Sequence, residues 1–243
     1  MARNQQAAVP ASDDKQPAPG KAPKAPKGPK GPKAPDVLAL LRDRIVSHDL
    51  PPGSRLREQV LADEFGAPRA KVREALMALQ ERGLVERIPN RGAIVVKLEV
   101  DQVIELYQVR EVLEGLTVRL ATENTAAESW QDLLDLFDGA MHDYVARGDY
   151  EAFLDGYARF RRRVIEAAAN PILTAMIDSI YEKTQSVIRR VIILPGRADQ
   201  GLKEHRAVLA AMRRGDPEEA ERCRRENMRS AREFILRYRK FIL

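Results

Sequence analysis

Arg69 and Arg73 stand four residues apart, so on a helix they share one face, and each presents a planar fork of N–H donors. Two such forks near the start of a helix suit the O6/N7 edge of guanine in the DNA major groove. The flanking residues supply the elements that would position them. In Glu58–Phe65 the apolar Val60, Leu61, Ala62 and Phe65 fall at helical spacing. Gly66-Ala67 makes a turn in which glycine tolerates positive φ, and Pro68 is expected to open the next helix, where its missing N–H costs nothing. Val72, Leu76 and Leu79 follow at i, i+4 and i+7 as a buried stripe, offset from the arginine ridge. Leu84-Val85 and Ile88 then lead through Pro89-Asn90-Arg91-Gly92 into the β-rich Ala93-Ile94-Val95-Val96, a hairpin signal with an arginine at its tip. Asn90, Arg91 and Gly92 would set this wing against the adjacent groove or a phosphate. Helix, turn, ridge and wing in this order predict a winged helix-turn-helix over residues 36–98 and double-stranded DNA as partner. The competing reading is a solvated face on which Arg69 and Arg73 pair with acids such as Glu74.

Composition sets the frame. A chain of 243 residues, 44% hydrophobic, has the length for two domains. No apolar run reaches the 18 or more residues of a membrane span, and the polar, proline-rich start lacks the apolar centre of a secretory signal. With one cysteine, Cys223, no internal disulfide can form, and a cytoplasmic protein is expected. Neighbouring Arg222, Arg224 and Arg225 would lower the Cys223 pKa if they faced it, though a plain helix cysteine is the simpler reading. The net charge of +5 comes from the first 35 residues, which hold seven basic and two acidic side chains; the remainder is close to neutral. There Lys21, Lys24, Lys27, Lys30 and Lys33 recur every third residue with proline at the same period. In polyproline II they would line one face about 9 Å apart, as an arm for the DNA backbone or as a disordered, solubilising tail. Gly-x-Ser-x-Gly, a phosphate-binding glycine loop, Cys-x-x-Cys and His-Glu-x-x-His are all missing, and the histidines are only His48, His142 and His205, so an enzyme is not expected.

Beyond Val100 every long segment has helical spacing. Leu106, Val109, Leu113, Leu116 and Leu120 repeat at 3-4-3-4. Residues 130–145, 153–168 and 172–194 continue the pattern up to a break at Pro195-Gly196. Segments 199–213 and 217–241 are parted by Gly215-Asp216. The expected fold is therefore mainly α, an N-terminal winged helix-turn-helix followed over residues 101–243 by an antiparallel bundle of six or seven helices.

The first domain resembles the DNA-binding domain of the GntR family of bacterial transcription regulators. The resemblance is carried by Pro52-Gly53, Leu61-Ala62, Arg69, Val72-Arg73-Glu74-Ala75-Leu76, Gly83-Leu84-Val85 and Arg91-Gly92-Ala93. Where that family usually has Ser or Thr as N-cap and phosphate contact, this chain has Pro68; Lys71 is expected to replace the contact. The second domain resembles the effector-binding FCD domain of the FadR-like branch, through Leu106-Tyr107, Arg110, Leu113-Glu114, Asn170-Pro171, Pro195-Gly196-Arg197, Glu204-His205-Arg206 and Gly215-Asp216. The resemblance implies a homodimeric repressor of a pseudo-palindromic operator that answers to a small organic acid; an architectural DNA-binding protein with a degenerate pocket is the alternative.

Many members of that branch hold a divalent metal with an Asp and a His four apart on one helix and two later histidines. The corresponding positions here are Tyr157, Arg161, His205 and Asn227. One histidine, an amide and a phenol beside a guanidinium are a poor donor set, so no metal and no cofactor are expected. Instead Arg161 would act as the cation and grip an effector carboxylate, helped by Tyr157, His205, Asn227, Arg110 and Arg190.

Overall fold

The computed structural model describes Met1 and residues 36–89 and 92–242. The lysine-rich tail, Asn90 and Arg91 lie outside the described residues. From Pro35 onward the chain forms one unit. Asp36 caps the first helix, α1 (Val37–Val46), accepting a hydrogen bond from the Ala39 amide, and Val37, Leu41 and Ile45 bury one face. A two-residue strand β1 (Arg55–Leu56) precedes α2 (Glu58–Phe65), which Gly66 ends in the left-handed conformation, φ 58°. In α3 (Arg69–Glu81), Pro68 turns out to be the N-cap rather than the first helical residue, and with no side-chain donor or acceptor it leaves the first amides uncapped. Val72, Ala75, Leu76 and Leu79 are buried as the spacing predicts.

Strands β2 (Val85–Ile88) and β3 (Gly92–Val95) form the expected antiparallel hairpin, with Val85 opposite Val95 and Ile88 opposite Gly92. β1 adds to its far edge, pairing Arg55 with Ile94. A strand of two residues is too short for alternation to announce it. One core joins these elements: Leu41, Leu56, Leu61, Val72, Leu76, Leu79, Val85 and Val95.

The rest is helical: α4 (Val100–Asn124), a short 3-10 turn (Ala127–Trp130), α5 (Gln131–Asp138), α6 (Ala140–Arg147), α7 (Tyr150–Ala168), α8 (Pro171–Ile192), α9 (Arg197–Arg213), α10 (Pro217–Arg237) and α11 (Arg239–Ile242). The periodic segment 130–145 is two helices rather than one, because Gly139 takes φ −111°, ψ −101° and breaks it. Phe137, Met141, Phe153, Phe160, Leu202, Val208, Leu209 and Met212 fill the main core.

α4 does not bury its leucine-rich stripe. Its inward face is Val103, Tyr107, Arg110, Glu114, Gly115, Thr117, Val118 and Ala121. Val109 and Val112 stay 49% exposed and Leu116 37%. This helix thus buries Arg110, Glu114 and Thr117 among its apolar residues while leaving Val109, Val112 and Leu116 exposed.

Candidate DNA-reading surface and effector cavity

α3 sets Arg69 and Arg73 on its outer face, their side chains 57% and 52% exposed. Both are tied to Glu58 at the start of α2. Arg69 Nε donates to Glu58 Oε2 at 3.0 Å, and Arg73 Nε and Nη2 donate to the same carboxylate at 3.1 and 2.9 Å. The hydrogen bond from Arg73 is the main reason the Glu58 pKa is held down to about 2, with Arg69 adding to it. The ion-pair partner of the ridge is therefore Glu58; Glu74 pairs with Lys71 instead, at 2.7 Å. Glu58 takes the Nε edge of each arginine and leaves both terminal nitrogens of Arg69 without a bond among the described residues. A carboxylate on the neighbouring helix in this way orients the ridge without occupying all its donors. Gly92, at φ 80°, begins β3 in a conformation that L residues seldom adopt.

The second site is a cavity inside the bundle. Phe153, Leu154, Ile188, Val191, Ile192, Met228 and Ala231 make its apolar wall, and Tyr107, Arg110, Tyr157, Arg197, His205 and Asn227 its polar one. The polar wall is a continuous buried network. Arg110, 2% exposed, donates from Nη2 to Glu114 Oε1 at 2.8 Å and from Nη1 to Thr184 on α8 at 3.3 Å. Arg224 donates from Nη2 to Glu114 Oε2 at 2.6 Å and to the Tyr157 hydroxyl at 3.2 Å. Its Nη1 donates to Asn227 Oδ1 at 2.8 Å, and Asn227 Nδ2 donates to Glu204 at 2.5 Å. Arg197 Nη1 also reaches Glu204, at 3.0 Å, and this is its one side-chain hydrogen bond among the described residues. Three guanidiniums face two carboxylates, so the network carries one surplus positive charge if His205 is neutral.

The partners of His205 make it neutral. Its Nδ1 lies 2.7 Å from the Gly201 carbonyl, which can only accept, so Nδ1 carries the proton. Its Nε2 lies 3.0 Å from Arg224 Nη1, which can only donate, so Nε2 presents its lone pair. Burial first, and then the Arg224 guanidinium, push the imidazole pKa down to about 3. The unfolded chain takes up this proton near pH 6.5 and the folded chain only near 3. Stability contributed by neutral His205 is thus present above pH 6.5 and declines as pH falls from there, by up to about 1.4 kcal/mol per pH unit for one proton. We expect His205→Gln to flatten the fall in the urea midpoint between pH 7 and pH 5; equal falls in both proteins would show that His205 is not the group responsible.

The sequence-predicted residues separate into two sets. Arg110, Tyr157, His205 and Asn227 converge on the cavity. Arg161 and Arg190 do not. Arg161 turns away from this cavity, donating to Asp178 on α8 at 2.5 Å with its guanidinium 3.9 Å from the centre of the Tyr181 ring. The acid that holds it is Asp178; Glu114 is already taken by Arg110 and Arg224. Arg190 lies on the other side of α8, lining a cleft with Pro51, Leu84 and Val96 of the winged helix, its Nη2 3.4 Å from His48 Nδ1. The sequence reading missed two cations: Arg197, which lines the cavity, and Arg224, which lies buried behind it and bonds to the lining residues Tyr157, His205 and Asn227. Arg224 shares the buried stripe of α10 with Ala220, Asn227, Met228 and Ala231, a spacing that places it inside. Cys223 is buried against Glu219 and not activated; burial and the Glu219 carboxylate raise its thiol pKa to about 11. His142 is exposed, and His48 is partly covered.

Comparison with known proteins agrees with both halves. Residues 105–230 match the FCD domain, and residues 33–95 match the gntR family of bacterial regulatory proteins. Over 190 residues the chain is 30% identical to "Probable D-xylose utilization operon transcriptional repressor" of Paenarthrobacter nicotinovorans, covering 76% of this chain and 82% of that one. It is 27% identical over 209 residues to the galactonate operon transcriptional repressor of Escherichia coli K12, covering 77% and 90%. The fold is similar to that of E. coli McbR/YncC, with a TM-score of 0.68 and 25% identity over 84% of this chain and 96% of that one. The chain therefore belongs to the gntR family of bacterial transcription regulators, in the branch that joins a winged helix-turn-helix to an FCD domain.

Proposed function

We propose that this regulator is a ligand-responsive repressor that binds a pseudo-palindromic operator as a homodimer and is released by a small organic acid. The observation that carries the reading is the cavity backed by a buried network with a surplus positive charge, built on the same helix that abuts the DNA-binding domain. α8 presents Ile188, Val191 and Ile192 to the cavity and Thr184 to Arg110. On its other side Glu182 reaches Arg82 of the α3 C-cap at 3.3 Å and Arg42 of α1 at 3.9 Å. A ligand that shifts α8 therefore acts on the seat of α1 and α3, and moves the spacing of two recognition helices across a dimer. The carboxylate would meet the cavity-facing donors of Arg197 and Arg110, with Tyr157, His205 and Asn227 around it and the apolar wall against its carbon skeleton. That one relative is named for the operon of galactonate, a sugar acid, is in keeping with an acid of this kind.

Arg69, Arg73 and Lys71 would contact the major groove and its phosphates, and the wing from Asn90 to Gly92 the neighbouring groove. Selection from random-sequence DNA followed by footprinting should return a two-fold symmetric site. Arg73→Ala should weaken it by about 1–3 kcal/mol with no change in thermal stability. Undiminished binding by the Arg69→Ala/Arg73→Ala protein would refute the assignment, and equal affinity for every sequence would favour an architectural role. Thermal-shift screening of organic acids then identifies the effector, since a ligand of the native state raises its stability by RT ln(1 + [L]/Kd).

A further inference from the structure

Three of the four positions at which related domains hold a divalent metal are Tyr157, His205 and Asn227, and in this protein all three bond to one group, the guanidinium of Arg224. We propose that Arg224 is a built-in cation standing in the place of that metal, and that it makes the cavity a metal-independent site for a monoanionic organic acid. The donor set present does not fit a divalent ion. The one lone pair of His205 that faces the cavity network already accepts from Arg224, and its other nitrogen is protonated toward Gly201. Tyr157 and Asn227 offer a phenol and an amide, both weak ligands for a divalent ion. The fourth position, Arg161, is withdrawn to Asp178. A divalent ion would also add two charges beside Arg110, Arg197 and Arg224, which Glu114 and Glu204 do not fully neutralise.

An internal guanidinium does two things that a metal would otherwise do. It fixes the His205 tautomer and ring plane, and it holds Tyr157 and Asn227 at set distances. It differs in that Glu114 holds two of its three nitrogens, so that it contributes charge and order but no open coordination position. Recognition then falls to the guanidinium donors that Arg197 and Arg110 leave free, and one negative charge on the ligand closes the balance of the network. An acid with a single carboxylate and an apolar body matches both walls.

Zinc reads this directly. The full-length protein, loaded with excess Zn(II) and dialysed, is expected to retain no stoichiometric zinc, and the His205 ring 15N resonances should show the Nδ1–H tautomer unchanged by zinc. One zinc per chain, lost in His205→Ala, would overturn the proposal. A second comparison asks whether Arg224 is the obstacle. Tyr157→Asp/Arg161→His/Asn227→His rebuilds the four ligands. It should still take no zinc while Arg224 is present, and should take one per chain when Arg224→Gln is added. Zinc in both, or in neither, would overturn the role given to Arg224. Should either variant fail to fold, the wild-type zinc content and resonances still decide. Zinc is measured here and not effector or DNA, so a failure of the effector-cavity reading on which this rests would show separately.

Discussion

Val109→Asp/Leu116→Asp should convert the proposed homodimer to a monomer and lower operator affinity on the order of 10³-fold, toward the level of non-specific binding. The expectation comes from the face that α4 leaves uncovered. Leu106, Val109, Leu113, Leu116 and Leu120 recur at heptad spacing, and with Val112 they form an apolar strip partly open to solvent. A strip of that regularity along a long helix is what a second helix packs against, and a two-fold operator calls for two recognition helices held at fixed spacing. Because Val109 and Leu116 are already 49% and 37% exposed, aspartates there stay hydrated in the isolated chain. The variant should therefore keep its helical content and its melting transition while sedimenting at half the mass. A variant that remains dimeric at micromolar concentration would move the interface elsewhere.

α4 also shows why part of this protein was legible in its sequence and part was not. Period and turn chemistry were enough for the winged helix: Gly66 ends α2, Val72, Leu76 and Leu79 are buried, and Ile88 pairs with Gly92 in the hairpin. The same signals found the helices of the bundle and their breaks at Pro195-Gly196 and Gly215-Asp216. They could not say which side of α4 faces in. Hydrophobic periodicity marks any buried face, and here the strongest stripe points outward while Arg110, Glu114 and Thr117 point inward. A polar core is invisible to that signal because its energetics lie in pairing, and pairing partners such as Glu114 and Arg224 are 110 residues apart. Arg161 misled for the same reason. Its helical position can be counted from the sequence, but the acid that captures it, Asp178, lies on another helix.

Glu114→Gln should be the most damaging single polar substitution in the bundle. Its carboxylate is buried and accepts from two guanidiniums, Arg110 at 2.8 Å and Arg224 at 2.6 Å. Burial would raise its pKa, but the charges of Arg224 and then Arg110 outweigh that and hold it well below the ordinary carboxylate range. Glutamine keeps the shape and removes the charge, so the buried guanidiniums of Arg110 and Arg224 are left without a carboxylate partner among the described residues. Removing one partner of a buried pair costs about 3–5 kcal/mol, which in a domain of this size lowers Tm by roughly 10 °C. Arg110→Met should cost less, because Glu114 then keeps Arg224 and no charge is orphaned. The ordering is the sharp part of the prediction, and it follows from a single carboxylate serving two cations. The pH dependence has a definite sign as well. A lowered folded-state pKa means that this stability is present above the unfolded value near 4.3 and is lost as pH falls below it. Glu114→Gln should thus be markedly less stable than wild type at pH 7, and the gap should close as both are taken toward pH 2. Equal melting of Glu114→Gln and wild type at pH 7 would mean that the network is dispensable for the fold, and with it the charge balance on which the anion site depends.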